Sequence, residues 1–486
     1  MTGSFDERRL GFTGTGEAGS VACGALIRLQ VSVQAGCVHD ADYQAYGCPA
    51  TIACAKGLTD RVRGSGLLDA AALSEQDLLR ATPEAEGRDD CARLAIDALH
   101  FALTDAIGSL LTLPPVEGIP ESEGVVVGMS GGVDSGVTAL LLREQGKRVV
   151  GVTLRLWDTP DVSGERSCCS PETVARARRV AHSMGIPHLT LDLTETFRQS
   201  VVQYFIDSYE AGITPNPCAK CNARVRFGAM LRLAEYLGCT RVATGHYARM
   251  DGVPPRLKRG VDMSKDQSYV LAEVDPQMLA RVVFPLGGRT KSEVRALAAE
   301  RGLEGHAAPE SQEICFIPDD DHRHFLRERL GEVAGDVVDA QGNRLARHTG
   351  VYNYTIGQRR GLGLAHPEPR FVIRLDARSR SVVVGARAEL ATRSLIMEDL
   401  TWHASLPTGP LTVQVRSTGE SLRTFVMEEA GVRLWPSDSG DVGGTPPARL
   451  QLRFDPPAEA VAPGQTAVVY EGESVVVAGT IVDTCT

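Results

Sequence analysis

Two groups of residues in this chain have the types and spacing to do chemistry. The first is Ser130-Gly-Gly-Val-Asp-Ser135, set between an apolar run at 125–129 and an apolar helical pattern that begins at 136–142. Strand, glycine turn and helix start in that order make a cradle for phosphate. Gly131 and Gly132 let the backbone approach an anion closely, and the first N–H groups of the helix point at it with the helix dipole behind them. Ser130 and Ser135 add hydroxyl donors, and Asp134 is placed to hold Mg2+ against the phosphates. The loop has neither the Lys-Ser/Thr ending of a Walker motif nor the GxGxxG pattern of a dinucleotide loop. The second group is Cys218-Ala-Lys-Cys221, with Cys315 far downstream. A Cys-x-x-Cys pair binds one metal centre or forms a redox couple, and the sequence holds no second such pair to complete a four-cysteine zinc ribbon. Three thiolates on an iron-sulfur cluster would leave one iron open to bind and deliver sulfide.

The elements that position these groups are legible around them. After the loop, strand-like and helix-like patterns alternate at 147–157, 171–184, 188–193, 197–209, 222–237 and 241–244. This predicts an α/β domain with a parallel sheet. Ligands of such sheets gather beyond the carboxyl ends of the strands, so 128–135, Leu154 and Gly245-His246 should share one rim. Downstream, short alternating runs at 371–375, 381–384, 411–415, 467–470 and 474–477 predict β-barrels. Arg359, Arg360, Arg416 and Arg453 are candidate phosphate contacts there, and Tyr352 and Tyr354 are expected in the core.

Upstream, a proline, glycine and acid-rich stretch at 114–123 reads as a linker. Before it, Leu29, Val31 and Val33 alternate with Arg28, Gln30 and Ser32, Gly36 turns the chain, and a second extended segment runs to Tyr46. Pro49 opens a helix, and Leu94, Ala98, Leu99, Ala102 and Leu103 give a last helix one apolar face. The unit is α+β. Cys23, Cys48 and Cys91 stand at element junctions, and a helix N-terminus favours thiolates at Cys48 and Cys91. Cys37, Cys54, Cys239 and Cys485 read as packing residues. The predicted organisation is a scaffold-like domain at 1–113, a linker at 114–123, a catalytic domain at 124–329, a central β domain at 330–395 and a β-barrel at 396–486.

Composition sets limits. A length of 486 residues suggests about three domains. No apolar run reaches membrane-spanning length and no secretory signal opens the chain, so a cytoplasmic protein with no membrane partner is expected. Twelve cysteines are too sparse for a disulfide scaffold and point to metal or sulfur chemistry in a reducing compartment. A net charge of -10 leaves nucleic-acid binding to a local basic face.

Ser-Gly-Gly-Val-Asp-Ser is similar to the loop of ATP pyrophosphatases, which release pyrophosphate while adenylating a substrate oxygen. Further along stand Thr214-Pro-Asn-Pro-x-x-x-Cys-Asn, Ala243-Thr-Gly-His-Tyr-Ala-Arg, Lys265-Asp-Gln-Ser-Tyr, Ser311-Gln-Glu-Ile-Cys-Phe, Gly335-Asp-Val-Val-Asp, Tyr354-Thr-Ile-Gly-Gln-Arg-Arg-Gly-Leu-Gly and Ala462-Pro-Gly-Gln. With these motifs in order, residues 123–486 resemble the tRNA-specific 2-thiouridylase family. The resemblance implies ATP-dependent replacement of the C2 oxygen of the tRNA wobble uridine by sulfur. It implies that Gly128, Met129, Ser130, Gly131, Gly132, Val133, Asp134, Ser135, Leu154 and Gly245 bind ATP, with Cys221 as nucleophile and Cys315 as the persulfide-bearing partner. Asn216, Pro217 and Cys218 would face the target base; His246, Lys265, Asp266, Gln267, Arg416, Ser417 and Gln465 would touch tRNA.

Residues 10–112, with Ala22-Cys-Gly, Tyr46-Gly-Cys-Pro-Ala and Asp90-Cys-Ala-Arg, resemble an iron-sulfur scaffold domain of the IscU/NifU type. That resemblance implies an iron-sulfur cluster, or zinc, on Cys23, Cys48 and Cys91. The chain departs from that family at Ala25, where Asp is usual, and at Asp90, where His is usual. Many 2-thiouridylases carry Asp where this chain has Cys218, which leaves two routes for sulfur. In one, Cys315 carries a persulfide and Cys221 assists. In the other, preferred because persulfide chemistry does not need a third thiol, Cys218, Cys221 and Cys315 hold a 4Fe-4S cluster. The sulfur donor is a cysteine desulfurase, a sulfur carrier or free sulfide. Two alternatives stay open at this level: an iron-sulfur delivery protein with a nucleotide-binding domain, and a pyrophosphate-loop ligase acting on a small molecule.

Overall fold

The computed structural model describes residues 11–20, 24–108, 123–157, 170–303, 314–317, 321–364, 367–407, 409–427 and 447–485. Cys23, Cys168, Cys169 and residues 311–313 of the Ser-Gln-Glu motif lie outside them.

The N-terminal unit is a three-stranded antiparallel sheet, Gly11–Ser20, Ala25–Gln34 and Cys37–Tyr46, covered on one face by the helices Pro49–Val62 and Asp89–Gly108. Ile27, Leu29, Val31 and Val33 alternate inward and are fully buried. The first strand was not legible as one, because its sequence is glycine-rich. Those glycines have a packing reason: a Cβ on Gly14 would lie 2.2 Å from the carbonyl oxygen of Ala102, and one on Gly16 would lie 2.1 Å from that of Ala98. The strand therefore lies flush on the alanine face of the Asp89–Gly108 helix.

The catalytic region is a five-stranded, all-parallel sheet in the order Val282–Val283, Arg241–Ala243, Val125–Gly128, Val149–Arg155, His188–Asp192. Val126, Val127, Val150 and Val152 are buried, as expected of strands covered on both faces. The strand Val125–Gly128 is followed on one side by the next two strands and on the other by the last two. The loop 129–132 thus leaves the sheet where the strand order reverses, the usual place for a ligand crevice.

Two β units complete the chain. A four-stranded sheet orders Arg344–His348, Gly335–Val338, Ser381–Gly385 and Phe371–Asp376, with Tyr354 buried against it; Tyr352, also buried, packs with the larger core. An eight-stranded sheet closes on itself through pairing of Ala391–Trp402 with Ser474–Cys485. Its last two strands, Ala248–Asp251 and Arg256–Arg259, come from the catalytic region and join beside Ser474–Cys485. The barrel is therefore built partly on the catalytic domain.

The N-terminal unit docks on the back of the parallel sheet. Asp97 pairs with Arg178, and His182 Nε2 lies 3.0 Å from the carbonyl oxygen of Ala71. His100 stacks near His182 and His188, with ring centroids 5.7 and 6.5 Å away, and His100 and His188 are buried. Two cysteines expected to pack inside do not: Cys37 sits at a hairpin turn and Cys485 at a strand end, both exposed, whereas Cys54 and Cys239 are buried. Among the described residues no helix is long and apolar enough to cross a membrane.

Candidate active site

Gly131 takes φ +72°, and a Cβ there would meet the carbonyl oxygen of Thr173 at 2.8 Å. Only glycine fits this turn, which brings the chain into the helix Val133–Glu144. Gly132 caps that helix in an extended conformation with no side chain on the helix amides, so they remain available to an anion. The loop is braced by Ser135, whose hydroxyl donates to Gly132 O at 2.9 Å and accepts from Ser130 N at 3.1 Å. Arg176 Nε donates to Gly131 O at 2.9 Å. Gly245, at the end of a neighbouring strand, presses on the loop: a Cβ would lie 3.0–3.1 Å from atoms of Asp134 and Ser135. Gly128, Leu154 and Gly245 stand at the carboxyl ends of adjacent strands, on one rim as expected.

Asp134 is engaged by residues that sequence reasoning missed. Lys291 Nζ donates to both of its carboxylate oxygens at 2.7 Å, and the Tyr247 hydroxyl donates to Oδ1 at 2.9 Å. Burial, reinforced by the Asp134 charge, pushes the Tyr247 phenol far up, so it stays a donor. Lys291 opens a helix with a Thr290/Glu293 capping box, and Thr290-Lys-Ser-Glu was the signal that could have drawn attention to it.

The two thiols of Cys218-Ala-Lys-Cys221 ride on a short helix, Pro217–Cys221. Asn216 caps it by accepting from Ala219 N at 3.2 Å, and Pro217 at the first position supplies the right φ. Cys221 is buried and Cys218 half-buried. Cys315, half-buried, lies in a turn whose next residue, Phe316, is fixed among Phe197, Phe205 and Phe325 with centroids 5.2–5.7 Å apart. Among the described residues no three Cys, His, Asp or Glu side chains converge as metal ligands. Cys221 and Phe316 belong to one hydrophobic core, and Cys315 packs against it.

Several expected tRNA contacts are spent inside the protein. His246 is buried between Phe227 and Phe284, its Nδ1 lies 2.6 Å from Thr244 Oγ1 in a hydrogen bond, and burial drives its imidazole down to about 3, so it is neutral. Asp266 pairs with buried Arg259 at 2.7 Å and accepts from Gly260 N and from Ser268. Gln267 accepts from Tyr247 N, and Asn216 donates to Thr466 Oγ1 at 3.0 Å. Gln465 donates to the carbonyl oxygens of Thr214 and Pro215 at 3.1 Å. Lys265 is half-buried; Arg416 and Ser417 are exposed, as are Arg359, Arg360 and Arg453. Beside the thiol helix a groove of about 440 Å³ is lined by Gln199, Gln203, Tyr204, Asp207, Ile213 and Arg224.

In the N-terminal unit, Cys48 Sγ lies 3.7 Å from Cys91 Sγ, and the Thr51 hydroxyl is 3.4 Å from each. Cys48 caps the helix Pro49–Val62. Hydrogen bonding from Thr51 lowers the Cys48 thiol to about 7, whereas burial raises Cys91, and raises Cys54 to about 11. Two of the three expected ligands are thus together, and Cys23 lies outside the described residues. Asp90, where the scaffold family has His, pairs with Arg88.

Comparison with known proteins agrees with this layout. Family models match in series: a NifU-like N terminal domain at 1–108, a tRNA methyl transferase HUP domain at 123–319, a tRNA methyl transferase PRC-barrel domain at 323–386 and an aminomethyltransferase beta-barrel domain at 392–481. The bifunctional protein NifU/MnmA of Rubrobacter xylanophilus is 46% identical over 479 residues, covering 96% of this chain and 93% of its own length. The tRNA-specific 2-thiouridylases MnmA of Geobacter metallireducens and Heliobacterium modesticaldum are 44% and 43% identical, each over 74% of this chain and 96% and 92% of their own lengths.

Proposed function

This chain belongs to the family of tRNA-specific 2-thiouridylases, joined in one polypeptide to a NifU-like domain, and on that premise we propose a wobble-uridine 2-thiolation by way of persulfide sulfur. The observation that carries the first half-reaction is the uncapped helix N-terminus at Gly132, with Asp134 and Lys291 beside it. Such a site suits release of pyrophosphate from ATP. The methyl transfer named in two of the matched descriptions would generate no pyrophosphate to be held there.

The loop amides and Lys291 hold the phosphates of ATP while the C2 oxygen of the uridine attacks the α-phosphorus and pyrophosphate leaves. A Mg2+ ion at Asp134 would add charge neutralisation at the leaving group, and the carboxylate fits that role once shared with or released by Lys291. The cysteines then act on the adenylated base. The terminal sulfur of a Cys315 persulfide attacks C2, AMP departs with its oxygen, and the base is held to Cys315 through a disulfide. Cys221 attacks the Cys315 sulfur, leaving the thiocarbonyl on the tRNA and a Cys221–Cys315 disulfide that an external thiol reduces. Cys218, Cys221 and Cys315 would hold a 4Fe-4S cluster in the alternative route, and no step of the persulfide route passes through one.

The exposed Arg359, Arg360, Arg416 and Arg453 supply phosphate contacts to tRNA, and the groove around Tyr204 and Arg224 offers amide, carboxylate and guanidinium groups to an unpaired anticodon nucleotide. The N-terminal unit supplies sulfur through Cys48 and Cys91, as persulfide sulfur received from a cysteine desulfurase or a persulfide carrier. The test is mass spectrometry of tRNA nucleosides after incubation with ATP, unmodified tRNA and a persulfide donor. 2-Thiouridine at the wobble position is expected; its absence, with pyrophosphate release intact, would refute sulfur transfer.

A further inference from the structure

We propose that Lys220 and Glu273 form a positioning pair that seats the thiol helix Pro217–Cys221 on the C-terminal barrel, making the barrel part of the sulfur-transfer site. The proposal rests on the reading that Cys221 does the thiol chemistry. Of the two residues between the cysteines of the pair, Lys220 would ordinarily point a flexible, hydrated amine at solvent. Here the Lys220 side chain is 7% exposed and Glu273 6%, with Nζ 2.7 Å from Oε2.

Charges this far from water are held only where geometry is good and their remaining hydrogen-bonding capacity is met. Both conditions hold. Lys220 Nζ also donates to Thr480 Oγ1 at 3.0 Å, and Glu273 Oε1 accepts from Thr466 Oγ1 at 2.7 Å. Thr466 Oγ1 in turn accepts from Asn216 Nδ2 at 3.0 Å, and Asn216 Oδ1 caps the thiol helix at Ala219 N. The chain of bonds Asn216, Thr466, Glu273, Lys220 therefore begins at the cap of the five-residue helix and ends inside it. A helix that short has little stability of its own, so its position is set by what it is tied to. Thr466 and Thr480 belong to the barrel strands Thr466–Glu471 and Ser474–Cys485. The entry to the helix is tied to the same strands' approach: Thr214 N donates to Pro463 O at 3.1 Å, and a Cβ on Gly464 would lie 2.8 Å from Thr214 O. An apolar pair of equal volume would fill the space as well but would not fix the direction of the helix, because dispersion contacts are not directional.

The test uses the full chain with Lys220→Met, Glu273→Gln and the double variant. The single variants leave a buried charge unpaired and serve only as folding controls; the double variant leaves none and keeps the proposal falsifiable. Three readouts are taken: single-turnover tRNA thiolation, KM for ATP in pyrophosphate release, and alkylation rates of Cys218 and Cys221 by iodoacetamide, followed by peptide mass spectrometry. The double variant is expected to melt near wild type and keep KM for ATP within about twofold. Its sulfur transfer should slow by about tenfold or more, with thiol alkylation changed at least about threefold. Wild-type thiolation in the double variant would overturn the proposal, and so would slow thiolation with unchanged alkylation of both cysteines. If the unaltered chain makes no 2-thiouridine, the functional reading fails, whereas the alkylation comparison still decides whether the pair positions the helix.

Discussion

Lys291 Nζ stands 2.7 Å from both carboxylate oxygens of Asp134, across 157 residues of sequence, and closes the phosphate loop with a cation of the protein's own. In the proposed reaction this ammonium would turn to the phosphates of ATP and leave Asp134 to a metal ion.

Lys291→Met should therefore lower pyrophosphate release by about 100-fold, the usual cost of removing one preorganised donor from a developing anion. Asp134→Ala should abolish it, with tRNA affinity changed little in both. Pyrophosphate release by Lys291→Met at the unaltered rate would remove Lys291 from the phosphate site.

Persulfide transfer separates the three thiols. Cys221→Ser and Cys315→Ser should each stop 2-thiouridine formation while ATP-dependent pyrophosphate release continues. Cys218→Ser should retain thiolation after chelator treatment when a persulfide donor is supplied. Loss of activity in Cys218→Ser together with loss of iron and visible absorption from the protein would restore the cluster route.

The contrast between Cys48 and Cys91 is testable by alkylation. With Cys48 lowered to about 7 by Thr51, its iodoacetamide rate should reach half its plateau near pH 7, while Cys91 reacts later in the titration. Thr51→Val should move the Cys48 midpoint upward. An unchanged midpoint in that variant would show that the hydroxyl is not what stabilises the thiolate.

The histidines between the N-terminal unit and the parallel sheet make stability fall in acid. Burial lowers His100, His182 and His188, the last to about 3, with Arg178 also opposing protonation and Asp77 favouring it at His182. The unfolded chain takes these protons near pH 6.5 and the folded one does not, so their contribution is complete above that pH. It is lost as pH falls below about 6.5, for His188 down to about 3, by up to about 1.4 kcal/mol per group for each pH unit. Denaturant midpoints measured from pH 8 to pH 5 should show this slope, and a His100→Asn/His188→Asn variant should flatten it. Equal slopes in the two proteins would assign the acid sensitivity elsewhere, His246 included.

The sequence by itself determined what is local. Alternation at Leu29, Val31 and Val33, the valine runs of the parallel strands, and Gly131 at a left-handed turn each follow from neighbours a few residues away, so periodicity and glycine usage sufficed. The order of motifs determined the family in the same way. What escaped were features whose cause lies far along the chain. Gly11–Ser20 shows no strand pattern of its own, and its glycines make sense only against the alanines of the helix Asp89–Gly108. The hairpin of Ala248–Asp251 and Arg256–Arg259 looks like part of the catalytic domain until its edge meets Ser474–Cys485.

The site divides along the same line. Ser130 to Ser135, Cys221 and Cys315 were visible because their chemistry lies in residue type and spacing. Whether Asp266, His246, Asn216 and Gln465 face RNA or the interior was not, because a polar side chain carries no mark of its partner. Folding supplied Arg259, a cage of Phe227 and Phe284, Thr466, and the carbonyls of Thr214 and Pro215. Three cysteines in sequence suggested a cluster, whose ligands must converge on one centre, a condition that spacing alone cannot supply. Lys220 with Glu273 and Lys291 with Asp134 are the same case: a charge's partner is whichever opposite charge the fold leaves beside it.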